Sequence, residues 1–416
     1  MSKVIPNDWS RAKLGDYIGV QGGNAFKSEY FSDNGVPIIR ISNIKKDGSV
    51  NLKGAVYFEK DSNLAKFKAI KGDILIAMSG ATTGKVGRYK SDVFSYINQR
   101  VGRFFLKKTN EGCIDFIHQI TSEDEFTNSV LIDAVGGAQP NISNQQIESI
   151  LVNFPPLYEQ QKIAKILTSV DEVIEKTQAQ IDKLKDLKTG MMQELLTNGI
   201  GHTEFKDSPV GRIPAEWDVV TLGDITVESA FGPRFSSDEY ASNGNFGCIR
   251  TTDMDDSWDI NYSTAPLARL CYEEFKKHIL VDDDLLVTRS GTCGLVDVFR
   301  EQPIPMIAAA FLIRFRLNES MNPFFVKYLM MSATIQEKVQ LLASGGVQQN
   351  LSATSLKTLK IPKPSIKEQK KIIKVIESIN NRLADTKKKL SLNIKLKKAL
   401  MQDLLTGKVR VKVDSE

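Results

Sequence analysis

The chain is written twice. "IPNDWSRAKLGDY" at residues 5–17 returns as "IPAEWDVVTLGDI" at 213–225, and "GVPIIRIS" at 35–42 as "NFGCIRTT" at 245–252. "KGDILIAMSG" (71–80) returns as "DDDLLVTRSG" (282–291), and "GGAQPNIS" (136–143) as "GGVQQNLS" (345–352). "PPLYEQQKIAKIL" (155–167) matches "PSIKEQKKIIKVI" (364–376), and "LKTGMMQELLT" (187–197) matches "LKKALMQDLLT" (396–406). The offset stays at about 209 residues throughout. A repeat this long specifies two domains rather than a solenoid, and 416 residues exceed one ordinary core.

Each copy has two parts. The first, about 150 residues, mixes short β-rich runs ("VPIIRIS", "GDILIAM", "INQRVGRFFL") with Gly, Asn, Ser and Asp turns. Helical patterns, "CIDFIHQITS" and "NPFFVKYLMMS", precede the double glycine of each copy. This alternation predicts a compact α/β or α+β domain, and we take α+β. The second part is proline-free from 157 to 197, with apolar residues at Ile163, Leu167, Val170, Ile174, Ile181, Leu184, Met191 and Leu195. Those gaps follow the three-four alternation of a heptad seam, with Thr177 and Lys188 at the missing positions. The second copy has Ile372, Ile376, Ile379, Leu383, Leu390, Leu400 and Leu404, with Thr386 and Asn393 on the seam. A helix of about 40 residues spans roughly 60 Å, and one with a single apolar stripe needs a partner. Two equivalent helices predict pairing with each other, polar seam residues helping to fix register; the alternative is that each folds back on its own domain. The predicted boundaries are 1–156 and 201–364 for the mixed domains, and 157–200 and 365–416 for the helical parts.

Hydrophobic content of 41% and charged content of 25% are those of a soluble globular chain. No apolar run approaches a membrane span, and "MSKVIPNDWS" carries no signal-peptide core, so a cytoplasmic location is expected. Cys113, Cys248, Cys271 and Cys293 have no paired spacing, and His118, His202 and His278 none of a metal site or triad. Charge is uneven. Residues 1–157 carry 19 basic against 16 acidic side chains, 201–365 carry 16 against 21, and 366–416 carry 14 against 6. Bulk charge therefore does not identify a nucleic-acid binder.

Three motifs resemble catalytic or nucleotide sites and fail on inspection. In "MSGATTGKVG" (78–87) Gly80 lies four residues before Gly84, where a P-loop needs five, and Val86 replaces the Mg²⁺-binding hydroxyl. The following residues alternate like strand, and the equivalent "TRSGTCGLVD" lacks the lysine, so a strand-to-strand glycine turn is predicted. "NFPPLY" (153–158) resembles the Asn-Pro-Pro-Tyr loop of amino-methyltransferases, but Phe154 and Leu157 interrupt it. It reads better as a proline stop and a helix start, with Glu159 favouring the helix dipole. Asp282, Asp283 and Asp284 read as a solvated turn.

A duplicated chain without a catalytic constellation is most simply a two-site binding protein, not an enzyme. Candidate DNA-binding residues in the first copy are Lys27, Arg40, Asn43, Lys45, Lys46, Thr82, Thr83, Lys85 and Arg88. In the second they are Arg234, Ser236, Arg250, Thr251, Thr252, Arg289, Ser290 and Thr292. These are the residue types that reach phosphates and base edges.

With "GGAQPNISNQQIESILVNFPPLYEQQKIAKIL" leading to "MMQELLT", and "GGVQQNLSATSLKTLKIPKPSIKEQKKIIKVI" leading to "LMQDLLTGKVRV", the whole chain resembles the specificity subunits of type I restriction-modification systems. That resemblance implies two target-recognition domains, each followed by a long helix, the helices packing antiparallel as a coiled-coil spacer. It implies that each domain reads one half of an asymmetric, bipartite double-stranded DNA target. It implies as partners two methyltransferase (modification) subunits, docked at the helices and the GG-[AV]-Q-x-N segments, and a restriction/translocase subunit. S-adenosylmethionine, ATP and Mg²⁺ would belong to those partners, and this chain would hold no cofactor or metal and touch no membrane. The runner-up reading is an interaction scaffold without base-specific reading; a nucleotide-dependent enzyme is a third class, tested by Lys85→Ala.

Overall fold

The structure, a computed structural model, describes residues 5–133, 140–254, 258–343 and 350–412. The double-glycine stretches at 136–139 and 345–349, expected to dock a partner, lie outside the described residues. The chain divides into two compact units: Met1–Ala179 with Lys388–Glu416, and Gln180–Lys387. The repeat boundary and the packing boundary differ, because each unit takes the start of one long helix and the end of the other.

Unit 1 builds its first sheet from four antiparallel strands, in the order Ile18–Gly22, Val101–Leu106, Ile74–Ala77, Val86–Arg88. The "ILIA" strand is buried at all four residues, as a continuous apolar run covered on both faces must be. A second sheet orders Val56–Phe58, Val36–Ile39, Ser95–Ile97 and Lys68–Ala69, its two middle strands parallel. Ser10–Lys13 pairs antiparallel with Leu151–Phe154, bringing the domain's two ends together.

Unit 2 repeats this plan. Its four-stranded sheet runs Thr226–Phe231, Leu312–Leu317, Leu285–Thr288, Val296–Val298. Its second sheet has three strands, Leu267–Ala268, Phe246–Ile249 and Met306–Ala308, and Asp218–Thr221 pairs with Lys360–Lys363. Unit 2 adds a hairpin, Phe205–Ser208 with Gly211–Pro214. The predicted helical patterns form as Ile114–Thr121 and Pro323–Met331. Mixed sheets with segregated helices make each unit α+β.

The heptad seams form two unbroken helices, a central one at Leu157–Asn198 and a distal one at Ile366–Leu404. Every seam position of the central helix, Thr177 and Lys188 included, is buried or half-buried. Within unit 1 the helices run antiparallel: Ile163 and Leu167 share a core with Leu404 and Leu405, and Asp171 meets Lys397 at 2.6 Å. Within unit 2, Leu195 and Leu196 pack with Ile372, Ile373 and Ile376. Both expected modes operate together, but at different ends. Ile163 and Leu167 join the core of their own domain around Phe116 and Phe154, and Ile372, Ile373 and Ile376 theirs around Trp217 and Phe325, whereas the helix ends at Leu195–Leu196 and Leu404–Leu405 pack into the other copy's domain. The two seam threonines behave differently from expectation. Thr177 and Thr386 return their hydroxyls to Val173 and Arg382 of their own helix, each at 2.6 Å, so neither fixes register across the pair.

The repeated "E-Q" at each helix start holds helix to domain. Gln160 Oε1 accepts from Cys113 N (2.9 Å), while its Nε2 donates to the Pro155 and Glu111 carbonyls. Gln369 does the same with Asn322 N (2.8 Å) and the Pro364 and Ser320 carbonyls. Glu159 accepts from Trp9 Nε1 and Glu368 from Trp217 Nε1, both at 3.0 Å. One more side chain completes each junction: Arg410 bridges Glu159 and Asp8, and His202 Nε2 lies 2.8 Å from Glu368. Glu159 is therefore a buried structural acceptor, beyond the dipole role expected of it.

The acidic turn also differs from its sequence reading. Asp282 and Asp283 are exposed and paired with Arg300, but Asp284 is buried. Burial pushes the Asp284 pKa up, opposed by the bond from Arg316 at 2.9 Å.

Candidate nucleic-acid interface

The two glycine turns are hairpin loops. Ile74–Ala77 pairs antiparallel with Val86–Arg88, and Leu285–Thr288 with Val296–Val298. Gly80 and Gly84, like Gly291 and Gly294, have positive φ, which explains why both glycines recur. The shared Ser79 and Ser290 bridge Asn141 and Asn350 of the Q-x-N segments, so the recurring Ser-Gly is architecture.

In unit 1 the loop borders a cleft of about 670 Å³. It gathers Lys45, Lys46, Lys85 and Lys90 from loops, Arg88 from the end of the strand Val86–Arg88, and His118 and Gln119 from helix Ile114–Thr121. Asp171, Glu172 and Glu175 of the central helix and Lys397 of the distal helix complete it. Local anions take up part of the positive charge: Arg88 pairs with Asp115 at 2.6 Å, Lys90 with Glu175, and Lys397 with Asp171. Lys45 donates to the Ser42 carbonyl (2.9 Å) and its charge acts on Asp47, while Lys46 and Lys85 have no hydrogen-bonding or ionic partner among the described residues. Two ammonium groups, those of Lys46 and Lys85, therefore remain for a ligand, in a setting suited to phosphate.

His118 is packed against this wall. Burial, reinforced by the Arg88 charge, pushes its pKa down to about 4, with Asp171 and Asp115 opposing and Lys397 adding to the shift. A histidine neutral when folded and titrating near 6.5 when unfolded takes up protons on unfolding, so stability is full above pH 6.5 and falls below it. Lowering the pH from 7 to 5 should cost unit 1 up to about 2 kcal/mol through this residue. Urea unfolding at both pH values checks it, because His118→Gln should remove that portion of the loss.

The remaining candidates divide by what their side chains already do. Asn43 is buried, accepting from Arg40 N (2.9 Å) and donating to the Asn51 carbonyl (2.7 Å). Asp253 caps Arg250 N in the same way, so "R-x-x-[ND]" is a structural turn in both units. Thr83 is buried and donates to the Gly80 and Pro140 carbonyls. Asn43 and Thr83 thus leave the contact set, because their polar atoms are consumed inside the fold. Arg40 spends Nη2 on the Gly54 carbonyl, and Arg250 is anchored to Asp253 at 3.1 Å. Thr82 sits 3.4 Å from the Ile41 carbonyl, and Lys27 is exposed beside Glu29. In unit 2, Arg234 is exposed with no polar partner among the described residues, and Ser236 caps the turn Ser237–Glu239. Thr251 and Thr252 open the turn after Arg250, and Ser290 and Thr292 lie on the hairpin loop. Arg289 lies 4.3 Å over the Phe231 ring and donates to Asn350 Oδ1 at 3.2 Å.

Phe231, Phe311, Arg100 and Lys90 belong to these surfaces and escaped the sequence reading. Among the described residues, no group of three or more His, Cys, Asp or Glu is placed to hold a metal ion, and no helix is long and apolar enough to cross a membrane.

A family profile described as "Type I restriction modification DNA specificity domain" matches residues 6–186 and again 214–396. The chain is 28% identical to the putative type I restriction enzyme MjaX specificity subunit of Methanocaldococcus jannaschii, covering 98% of this chain and 95% of that one. It is 22% identical to the EcoKI specificity subunit of Escherichia coli K12, over 90% of this chain and 82% of the relative. The fold is similar to the crystal structure of a type I restriction-modification S subunit from M. genitalium, with a TM-score of 0.62 and 17% identity over 97% of both chains.

Proposed function

The chain belongs to the type I restriction-modification DNA specificity family, and from that premise we propose that each unit reads one half of a split, asymmetric DNA target. One observation carries this reading: the two units share their framework but not their loop chemistry. Trp9 and Trp217, Gln160 and Gln369, and the glycine hairpins are equivalent in partners and geometry. At matching sequence positions, Lys45, Lys46 and Lys85 are replaced by Asp255, Asp256 and Leu295 in the repeat. A shared framework with divergent loops suits two readers of different sequence. Base contacts carry specificity and phosphate contacts supply salt-dependent affinity, so unit 1 should show the stronger salt dependence.

In this reading the chain is the non-catalytic DNA-recognition subunit. Its partners are two methyltransferase subunits that supply S-adenosylmethionine, and a restriction/translocase subunit that uses ATP and Mg²⁺. The long helices dock those partners and set the spacing between half-sites. Adding one heptad to each helix preserves the seam phase and lengthens the pair by about 10 Å, roughly three base pairs. Sequencing methylated sites in cells carrying the lengthened protein should return the same two half-sites with a longer unspecified gap. An unchanged gap contradicts the ruler. Loss of all sequence preference alongside intact complex assembly would favour the interaction scaffold.

A further inference from the structure

We propose that one corner of each four-stranded sheet, beside the glycine hairpin, is a DNA-contacting site whose chemistry differs between the units: aromatic stacking in unit 2, a lone guanidinium in unit 1. The proposal rests on the DNA-reading function above and names residues that reading does not assign.

The corners are equivalent in register. Phe231 pairs with Ile313 as Gly22 pairs with Gly102, and Thr288 pairs with Leu312 as Ala77 pairs with Val101. One step further along, Arg289 N donates to the Phe311 carbonyl (3.0 Å) as Met78 N donates to the Arg100 carbonyl (2.9 Å). Three sheet positions thus hold Phe231, Arg289 and Phe311 in unit 2, and Gly22, Met78 and Arg100 in unit 1. The arginine has moved to a different strand, yet its anchor is the same. Arg289 Nε donates to Asn350 Oδ1 and Arg100 Nη1 to Asn141 Oδ1, both at 3.2 Å.

Two exchanges that restore one bond point to a required placement of positive charge. A surface guanidinium tied by a side-chain amide has lost much of its rotamer freedom before any ligand arrives, which lowers the cost of binding. In unit 2 this cation also lies on the Phe231 ring, and Phe311 stands beside it at 55% exposure, Phe231 at 42%. Arg289 thus joins two half-exposed aromatic residues, Phe231 under its guanidinium and Phe311 through a backbone bond. Exposed rings at such a corner are of the kind that pack on bases or wedge at a base step. Unit 1 has no ring at either position, so its corner offers hydrogen bonds and charge alone.

The test uses the full chain assembled with its methyltransferase partner and a fluorescent duplex carrying the mapped target, titrated at several salt concentrations. Phe311→Ala should weaken binding about tenfold with the slope of log K against log salt unchanged, since no charge is lost. Phe311→Trp should restore affinity, and Phe311→Leu, which keeps apolar bulk without the ring, should fall between. Arg100→Ala should weaken binding at least fivefold through the other half-site. Phe311→Ala and Arg100→Ala complexes that both bind within twofold of the parent overturn the proposal, as does a changed salt slope for Phe311→Ala. A parent complex with no preference for its mapped target would instead remove the DNA-reading function itself.

Discussion

Gln369→Leu is expected to destabilise unit 2 by about 3 kcal/mol. Leucine matches the volume but leaves Asn322 N–H without an acceptor and the Pro364 and Ser320 carbonyls without their donor, at a site with no exposed surface. An orphaned buried donor costs about 1–3 kcal/mol, and two carbonyls that lose one bond each add less apiece. For a unit of this size each kcal/mol moves Tm by about 2–4 °C, so the unit 2 transition should fall by roughly 10 °C in a calorimetric scan. Gln369→Glu keeps the acceptor but sets a buried carboxylate against those two carbonyls, and should destabilise at least as much. Gln160→Leu should do the same to unit 1. A Tm within about 2 °C of the parent would show that the clamp does not hold helix to domain.

The long-range order of the chain was largely legible. Repeat spacing gave two units, and the seam periodicity placed both long helices because apolar period and helix pitch are the same geometry. The "ILIA" run and the paired glycines predicted a strand and a tight turn, each a local property of a few residues. Roles set by distant partners were not legible. Glu159 reads as an ordinary first-turn acid until Trp9, 150 residues away, and Arg410, 251 residues away, close on it. Asn43 and Arg40 look like surface binders until the turn that uses them is seen. Asp284 is indistinguishable in sequence from Asp282 and Asp283, and only the start of the strand Leu285–Thr288 decides which one is buried.

The candidate interface was half legible for a similar reason. Lysines at 45, 46 and 85 could be proposed from type alone, but their convergence on one cleft with Arg88 and His118 depends on how loops fold back over the helix Ile114–Thr121. "AAAFLIRF" reads as core strand throughout, and nothing in it marks Phe311 as the ring that faces outward.

The largest functional effect is expected from exchanging residues 1–140 for the matching segment of a relative with different specificity. The junction falls before Asn141, so the clamp residues Gln160 and Glu159 and the whole of unit 2 remain unaltered. Each base pair read carries about 1–3 kcal/mol of discrimination, so replacing several contacts shifts preference between old and new half-sites by three or more orders of magnitude. Sequencing the methylated sites in cells carrying the exchanged chain and its methyltransferase partner is the most direct measurement. The predicted result is a bipartite motif in which one half changes to the relative's and the other half and the gap are kept. An unchanged motif, or the loss of both halves from a complex that still assembles, would contradict the claim that each unit reads its own half of the target.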